Sequence, residues 1–326
     1  MKIHVPKIIL LFLLANCLPS TTSAWGFFAH QKINHFAVFL LPPEMMRLYK
    51  PNIDFITEHA VDPDKRRYSV AAEGQRHYID IDFYGAYPFT ALPHKWDSAV
   101  EKFTEDTIRA QGIVPWWVQT MERRLTLAFK EKNQQKILRL SAEIGHYIAD
   151  AHVPLHASKN HDGQLTDQKG IHAFWESRLP ELFADNQWDF FIGKAGYIDR
   201  PDKFIWDRVL ESGAAADTVL KFEAALNKDF SGDKKYAFEE RSGKLIKQYS
   251  SDYAAKYQEK LQGMVERRMR QSIYAVASFW YTAWVNAGQP DLSNLSNKEM
   301  SEADKKEMED LNEKWAGGKS LESREQ

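Results

Sequence analysis

The sequence predicts an all-α protein, a single compact multi-helix domain, and three observations predict it. Apolar residues recur at intervals of three and four along Ile33 to Leu41, Trp117 to Phe129, Ile137 to Ile148 and Met264 to Trp284, which places them on one helix face. The alternation of apolar and polar residues that a half-buried strand requires persists nowhere. Gly and Pro gather between the periodic stretches, at Leu41-Pro-Pro43, Gly85 to Pro93 and Arg200-Pro201, where helix ends and loops belong. The chain is long for a single core, but no linker or repeat divides it.

Residues 1–24 read as a secretory signal. Lys2 and Lys7 form a basic start, Ile8 to Leu14 an apolar centre, and Thr22-Ser-Ala24 a small-residue cleavage site. Cleavage after Ala24 removes Cys17, the one cysteine, and leaves a protein with no disulfide and no thiolate metal site. That composition fits a bacterial periplasmic or secreted location better than a disulfide-dependent ectodomain. Leu13 to Cys17 weakly resembles a lipoprotein box, but Asn16 stands where a small residue is usual, which argues against lipid anchoring at Cys17. No later apolar run reaches the roughly 20 residues needed to span a bilayer.

The most informative stretch is His146-Tyr-Ile-Ala-Asp150-Ala-His-Val-Pro-Leu-His156, followed by His172 and Glu176. Residues four apart on a helix share a face, so His146 with Asp150, and His172 with Glu176, can each offer two ligands to one metal ion. One such pair alone is more often a cap or a surface ion pair. Two pairs, with His156 between them and Pro154 turning the chain back, favour metal ligation by nitrogen and oxygen. His152 lies six residues after His146 on a different face, so a supporting role suits it better.

Cleavage after Ala24 would also make Trp25 the first residue, with a free amine and carbonyl able to bind zinc together with His30. On its own this segment would read as a hydrophobic anchor and a helix start. In chain order, Trp25-Gly...His30, Asp62, His77-Tyr-Ile-Asp80, His146...Asp150...His156 and His172...Glu176 resemble the superfamily that joins bacterial zinc-dependent phospholipase C to the single-strand-specific, three-zinc nucleases. The resemblance covers roughly residues 25–285. It implies three zinc ions. Trp25 and His30 would hold one, and Asp150 would bridge it to a second completed by Asp62, His77 and His146. His156, His172 and Glu176 would hold the third. Asp80 would orient or deprotonate the attacking water in the hydrolysis of a phosphoric ester.

The branch of the superfamily decides the substrate. The five-residue step from Trp25 to His30 and the string Asp-Ala-His-Val-Pro-Leu-His look like the nuclease branch. Glu176 stands where the nucleases usually have Asp, as in phospholipase C, and the loop Asn160 to Gly170 lacks the Gly-Gly-Asn element expected of nucleases. An arginine often follows the first aspartate by three positions in the nucleases, but Lys65 stands three after Asp62, with Arg66 and Arg67 next. The expected partners are therefore single-stranded nucleic acid or nucleotides, with phospholipid as the alternative enzyme substrate and a structural zinc- or lipid-binding protein as the non-enzyme alternative.

Charge is permissive rather than diagnostic and agrees with short, single-stranded or mononucleotide substrates, or with lipids. The whole chain stands at −2, and loss of Lys2 and Lys7 without any acid leaves −4. A duplex-binding protein would show a strong basic patch. Phe27, Phe28, Phe83, Tyr84, Trp116 and Trp117 are candidates for a base-stacking platform or an apolar lipid groove, though most aromatics serve the core. His35, His59, His94 and His161 match no position of the resemblance; His161 with Asp162 is the alternative for a loop ligand. The expected organisation is a signal at 1–24, a catalytic domain at 25–290 and a solvated tail at 291–326, rich in Lys, Glu, Asp and Ser. No stable protein partner is implied.

Overall fold

The structure is a computed structural model and describes residues 26–241, 243–293, 295 and 306. The signal at 1–24, Trp25 and most of the 291–326 tail lie outside the described residues.

Helix dominates, as the periodicity predicts. The first helices are α1 (Phe27–Val38), α2 (Pro43–Tyr49), α3 (Ile53–Glu58), α4 (Asp62–Arg66), α5 (Trp96–Phe103) and α6 (Glu105–Ala110). They are followed by α7 (Val114–Glu131), α8 (Gln134–Asp150), α9 (Ile171–Ala173), α10 (Leu179–Phe183), α11 (Pro201–Asp229), α12 (Ser251–Leu261) and α13 (Met264–Asn286). Sequence signals mark their ends. Pro43, Pro115 and Pro201 each occupy the first turn of a helix, where no amide partner is lost. Lys132 closes α7 in the left-handed conformation, and Asn133 starts α8 by accepting from the Lys136 amide at 3.0 Å.

α8 is the axis of the molecule. It packs on α1, α3, α7 and α13, and every residue from Leu140 to Asp150 is buried. A helix covered all round buries its polar residues too, so His146 and Asp150 sit in the interior rather than on a surface face. α13 seals the other side, with Trp280 Nε1 donating to the Ser141 carbonyl at 2.9 Å. α1 lies close against α8 because residue 145 is glycine. A β-carbon there would stand 2.1 Å from Asn34 Oδ1, while Asn34 Nδ2 donates to the carbonyls of Ala142 (3.0 Å) and Ile56 (3.3 Å). Asn34 thus ties three helices, one turn after His30 and beside His146.

The expectation that no strand pattern persists is corrected at one place. β1 (Tyr236–Arg241) and β2 (Lys244–Tyr249) form an antiparallel hairpin in which Tyr236 faces Tyr249 and Arg241 faces Lys244. Each strand has only six residues, and Phe238 and Leu245 remain 66% and 72% exposed, so no apolar face is buried to write an alternation into the sequence. The hairpin is anchored instead by single contacts. Tyr249 stacks on Phe174 with centroids 3.9 Å apart, and Arg178 Nη1 donates to Glu239 Oε2 at 2.9 Å.

Candidate metal centre

Four elements converge below the end of α8. His30 comes from α1, Asp64 from α4, His77 from the turn after Gly74–Arg76, and His146 and Asp150 from α8. Asp150 is central. Its Oδ1 lies 3.4 Å from His30 Nε2 and 4.0 Å from His156 Nε2, and its Oδ2 lies 2.9 Å from His77 Nδ1 and 3.3 Å from His146 Nε2. Pro154 ends the run of helix and turns the chain through the short helical turn Pro154–Ala157, which sets His156 on the far side of Asp150. There His156 Nε2 lies 3.3 Å from Glu176 Oε2, and His172 Nε2 lies 3.0 Å from the same oxygen. Glu176 stands in the π-helical turn Phe174–Arg178, a wider winding often found at functional sites. All eight of these side chains are buried.

Three groups of ligand atoms result, namely His30, Asp64 and His146; His77, His146 and Asp150; and His156, His172 and Glu176. Sequence reasoning named all of these residues but one. Asp62 is the correction. It is 26% exposed and turned outward, where His59 Nδ1 at 2.5 Å and Lys65 Nζ at 3.0 Å share its carboxylate. Burial raises the Asp62 pKa, but the bonds from His59 and Lys65 outweigh it and hold the carboxyl below its usual value. Asp64 takes the interior place, 3.6 Å from His146 Nε2 and 3.8 Å from His77 Nδ1. Two positions along a helix turn a side chain by more than half a circle, so Asp62 and Asp64 cannot share a face. Three positions after Asp64 stands Arg67, buried, with Nη1 3.8 Å from Asp64 Oδ1.

The remaining expectations fall out as follows. Trp25 is outside the described residues, but the next amide, Gly26 N, donates to Ser177 Oγ at 3.0 Å, which ties the residue ahead of α1 beside Glu176. Asp80 is buried at the end of the same segment as His77. That segment is fastened to the His156 corner in both directions, with His156 Nδ1 2.6 Å from the His77 carbonyl and Ile79 N donating to the His156 carbonyl at 2.9 Å. Burial raises the Tyr84 hydroxyl pKa to about 12, and the nearby Asp80 carboxylate adds to it. His152 stays out of the cluster, its Nδ1 on the Ile148 carbonyl at 2.7 Å and its own carbonyl accepting from Arg268 Nε at 2.9 Å. Asp162 accepts from the amides of Gly170 (2.9 Å) and His172 (3.3 Å), a bracing rather than a ligating geometry. Of the candidate aromatics, Tyr84 and Trp116 are buried, while Phe27 and Phe83 are exposed.

Supporting groups that sequence reasoning missed fix the imidazoles. His146 Nδ1 sits 2.8 Å from the Ala60 carbonyl, and His172 Nδ1 2.9 Å from the His161 carbonyl, so that with His156 three rings turn Nε2 inward. Behind His77 lies the buried Glu73, with Oε1 3.8 Å from His77 Nε2 and accepting from Tyr147 Oη, and Oε2 bonded to Arg76 Nη1 at 2.7 Å. Main-chain carbonyls leave no trace in side-chain patterning. Glu73 did carry a signal, four residues before His77.

The donor set fits a divalent metal on two counts. Both nitrogens of His30, both oxygens of Asp64 and of Glu176, Asp150 Oδ1, and Nε2 of His156 and His172 are buried with no hydrogen-bond partner. So many orphaned donors and acceptors at one place are costly unless something they ligate stands between them. Second, ligands around a tetrahedral zinc at 2.0–2.1 Å stand about 3.3 Å apart. The spacings of 3.0 Å to 3.6 Å between His172, His156, Glu176, His146, Asp64 and Asp150 bracket that figure. Without an ion the cluster must share protons. Burial disfavours a charge on His146, but the carboxylates of Asp150 and Asp64 raise its pKa to about 9. Burial, reinforced by His146, lowers His30 to about 4.

No protein-family model matches this chain, and no curated protein matches it.

Proposed function

We propose that the chain is a zinc-dependent phosphoesterase, exported through its N-terminal signal, that hydrolyses single-stranded nucleic acid or 3'-nucleotides. The observation that carries the reading is the set of three buried ligand groups around Asp150, many of whose donor atoms are unpartnered, with spacings that bracket those of zinc ligands. His30, Asp64, His77, His146 and Asp150, together with Trp25, would hold two ions, and His156, His172 and Glu176 a third. Zinc when bound supplies Lewis acidity toward phosphoryl oxygens and lowers the pKa of water to about 7.

The protein's own groups do the rest. Asp80, buried three residues after His77, orients the attacking water and takes its proton as general base. Arg67, beside Asp64, is the cation placed to meet a phosphate oxygen. Glu73, Tyr147 and the carbonyls of Ala60, His77 and His161 hold the imidazoles in place, so that the centre costs little reorganisation during reaction.

The spacing from Trp25 to His30 and the His146 to His156 string favour nucleic acid. Glu176 favours the second reading, a phospholipase C. One experiment separates them: hydrolysis of single-stranded RNA, a 3'-nucleotide and phosphatidylcholine in parallel by the purified mature protein, with chelator and with zinc added back. Chelator-sensitive cleavage of the nucleic acid or nucleotide is expected. Release of phosphocholine alone assigns the phospholipase reading, and no turnover of any substrate by zinc-loaded protein overturns both.

A further inference from the structure

A separate pocket of about 820 Å³ is bounded in part by Ala72, Gln75 and Arg76, just ahead of His77, and none of the metal-centre residues lines it. Four tryptophans line it, Trp96, Trp116, Trp117 and Trp206. Trp116 meets Trp96 and Trp206 edge to face at 5.3 Å and 5.0 Å, and His94 lies parallel to Trp206 at 4.2 Å. Arg76 lies over Trp117 with its guanidinium carbon 3.9 Å from the ring centre. His94 is exposed, so its outer face is open to a further ring.

The rim is cationic. Arg76, Lys95, Arg109, Arg123, Arg200 and Lys203 line the pocket against only Asp97 and Asp202. Arg76 is held by the buried Glu73 at 2.7 Å; Arg109 is paired with Glu105 at 2.6 Å, Arg200 with Asp202 at 2.9 Å and Lys203 with Asp207 at 2.7 Å, and these last three are surface pairs that an incoming anion can exchange. Lys95 and Arg123 have no carboxylate partner among the described residues. Exposed cations without a carboxylate partner call for an anion. A quaternary ammonium group, which aromatic cages otherwise suit, is repelled by the same rim and finds the Trp117 and Trp96 faces already under Arg76 and Arg109.

We infer that this pocket is a nucleotide-binding site separate from the metal centre, in which a base stacks against the His94 and Trp206 layer and its phosphate meets Lys95 and Arg123. The site follows from its own residues and stands whichever ester the metal centre cleaves.

Calorimetric titration of the zinc-loaded mature protein with adenosine 5'-monophosphate tests it, with inorganic phosphate and phosphocholine run alongside. The comparison is with the double variant Lys95→Glu/Arg123→Glu, both positions being exposed and outside the metal centre. The variant should either bind one nucleotide fewer per chain or bind it at least about tenfold more weakly, as loss of charge-assisted bonds predicts. The neutral variant Lys95→Gln/Arg123→Gln should fall between. Because the readout is the difference between proteins sharing one metal centre, it holds even if that centre binds no nucleotide. Equal stoichiometry and affinity in wild type and charge-reversed variant overturn the site. So does phosphocholine or bare phosphate binding as tightly as the nucleotide in a Lys95- and Arg123-dependent way.

Discussion

Replacing Gly145 by alanine should destabilise the protein although alanine is the better helix former. The added methyl would lie 2.1 Å from Asn34 Oδ1 and 2.9 Å from its Cγ. Asn34 is only 1% exposed and bonds the Ala142 and Ile56 carbonyls, so its amide cannot swing aside without giving up both. Alanine for glycine in a helix interior contributes about 1 kcal/mol of stability. Overpacking the contact costs about 1–3 kcal/mol. Breaking buried amide bonds costs about 1–3 kcal/mol more. The sum is a net loss of about 1–5 kcal/mol, and it reaches the site, because His30 one turn earlier stacks on His146 at 3.7 Å. Urea unfolding should show a lower midpoint at unchanged slope, and metal content should fall with it. The double variant Asn34→Ala/Gly145→Ala, in which the methyl has room, should be less destabilised than the two single variants summed, with a coupling of about 0.5–3 kcal/mol. A Gly145→Ala protein that gains stability and keeps its full metal content would refute the reasoning.

Three further outcomes are expected. Asp64→Asn should strip metal from the His30 and His146 group, with an affinity loss beyond the roughly 10–100-fold typical of supporting residues, whereas Asp62→Asn should leave metal content intact; elemental analysis of the two variants decides between the aspartates. Asp80→Asn should lower turnover by about 10²–10⁴-fold, the usual worth of a general base, with metal content unchanged, and full activity in that variant would remove Asp80 from the chemistry. Metal uptake should release protons, because ligation needs neutral imidazole and His146 in the metal-free protein, with a pKa raised to about 9, is still charged at pH 7. The sign follows directly: affinity rises as pH climbs toward 9, while His30, lowered to about 4, is already neutral and adds nothing there. Calorimetry in buffers of different ionisation heat measures the protons released, and affinity that falls between pH 6 and 8 contradicts this balance.

The helices and most members of the buried His/Asp/Glu cluster are legible because both are written in local spacing. His146 with Asp150, and His172 with Glu176, needed only a four-residue step, and Pro154 marked the turn that carries His156 across. Asp64 was not legible. Asp62 and Asp64 flank one proline, and only the packing of α4 against α8 decides which faces inward. Asn34 and Gly145 are 111 positions apart, so their contact exists only once α1 and α8 are docked. The hairpin escaped notice because its exposed Phe238 and Leu245 write no amphipathic pattern. The tryptophan pocket draws on α5, α7 and α11, and Trp117 was recognised only as one candidate aromatic among several.

The most direct measurement is the zinc content of the purified mature protein, by elemental and native mass analysis, before and after chelation, with ester hydrolysis followed on the same samples. Three zinc ions per chain, lost together with activity and restored together by added zinc, are what the buried ligand groups around Asp150 predict. A folded protein that carries no metal, or that hydrolyses its substrate at an undiminished rate after the metal is removed, contradicts the account.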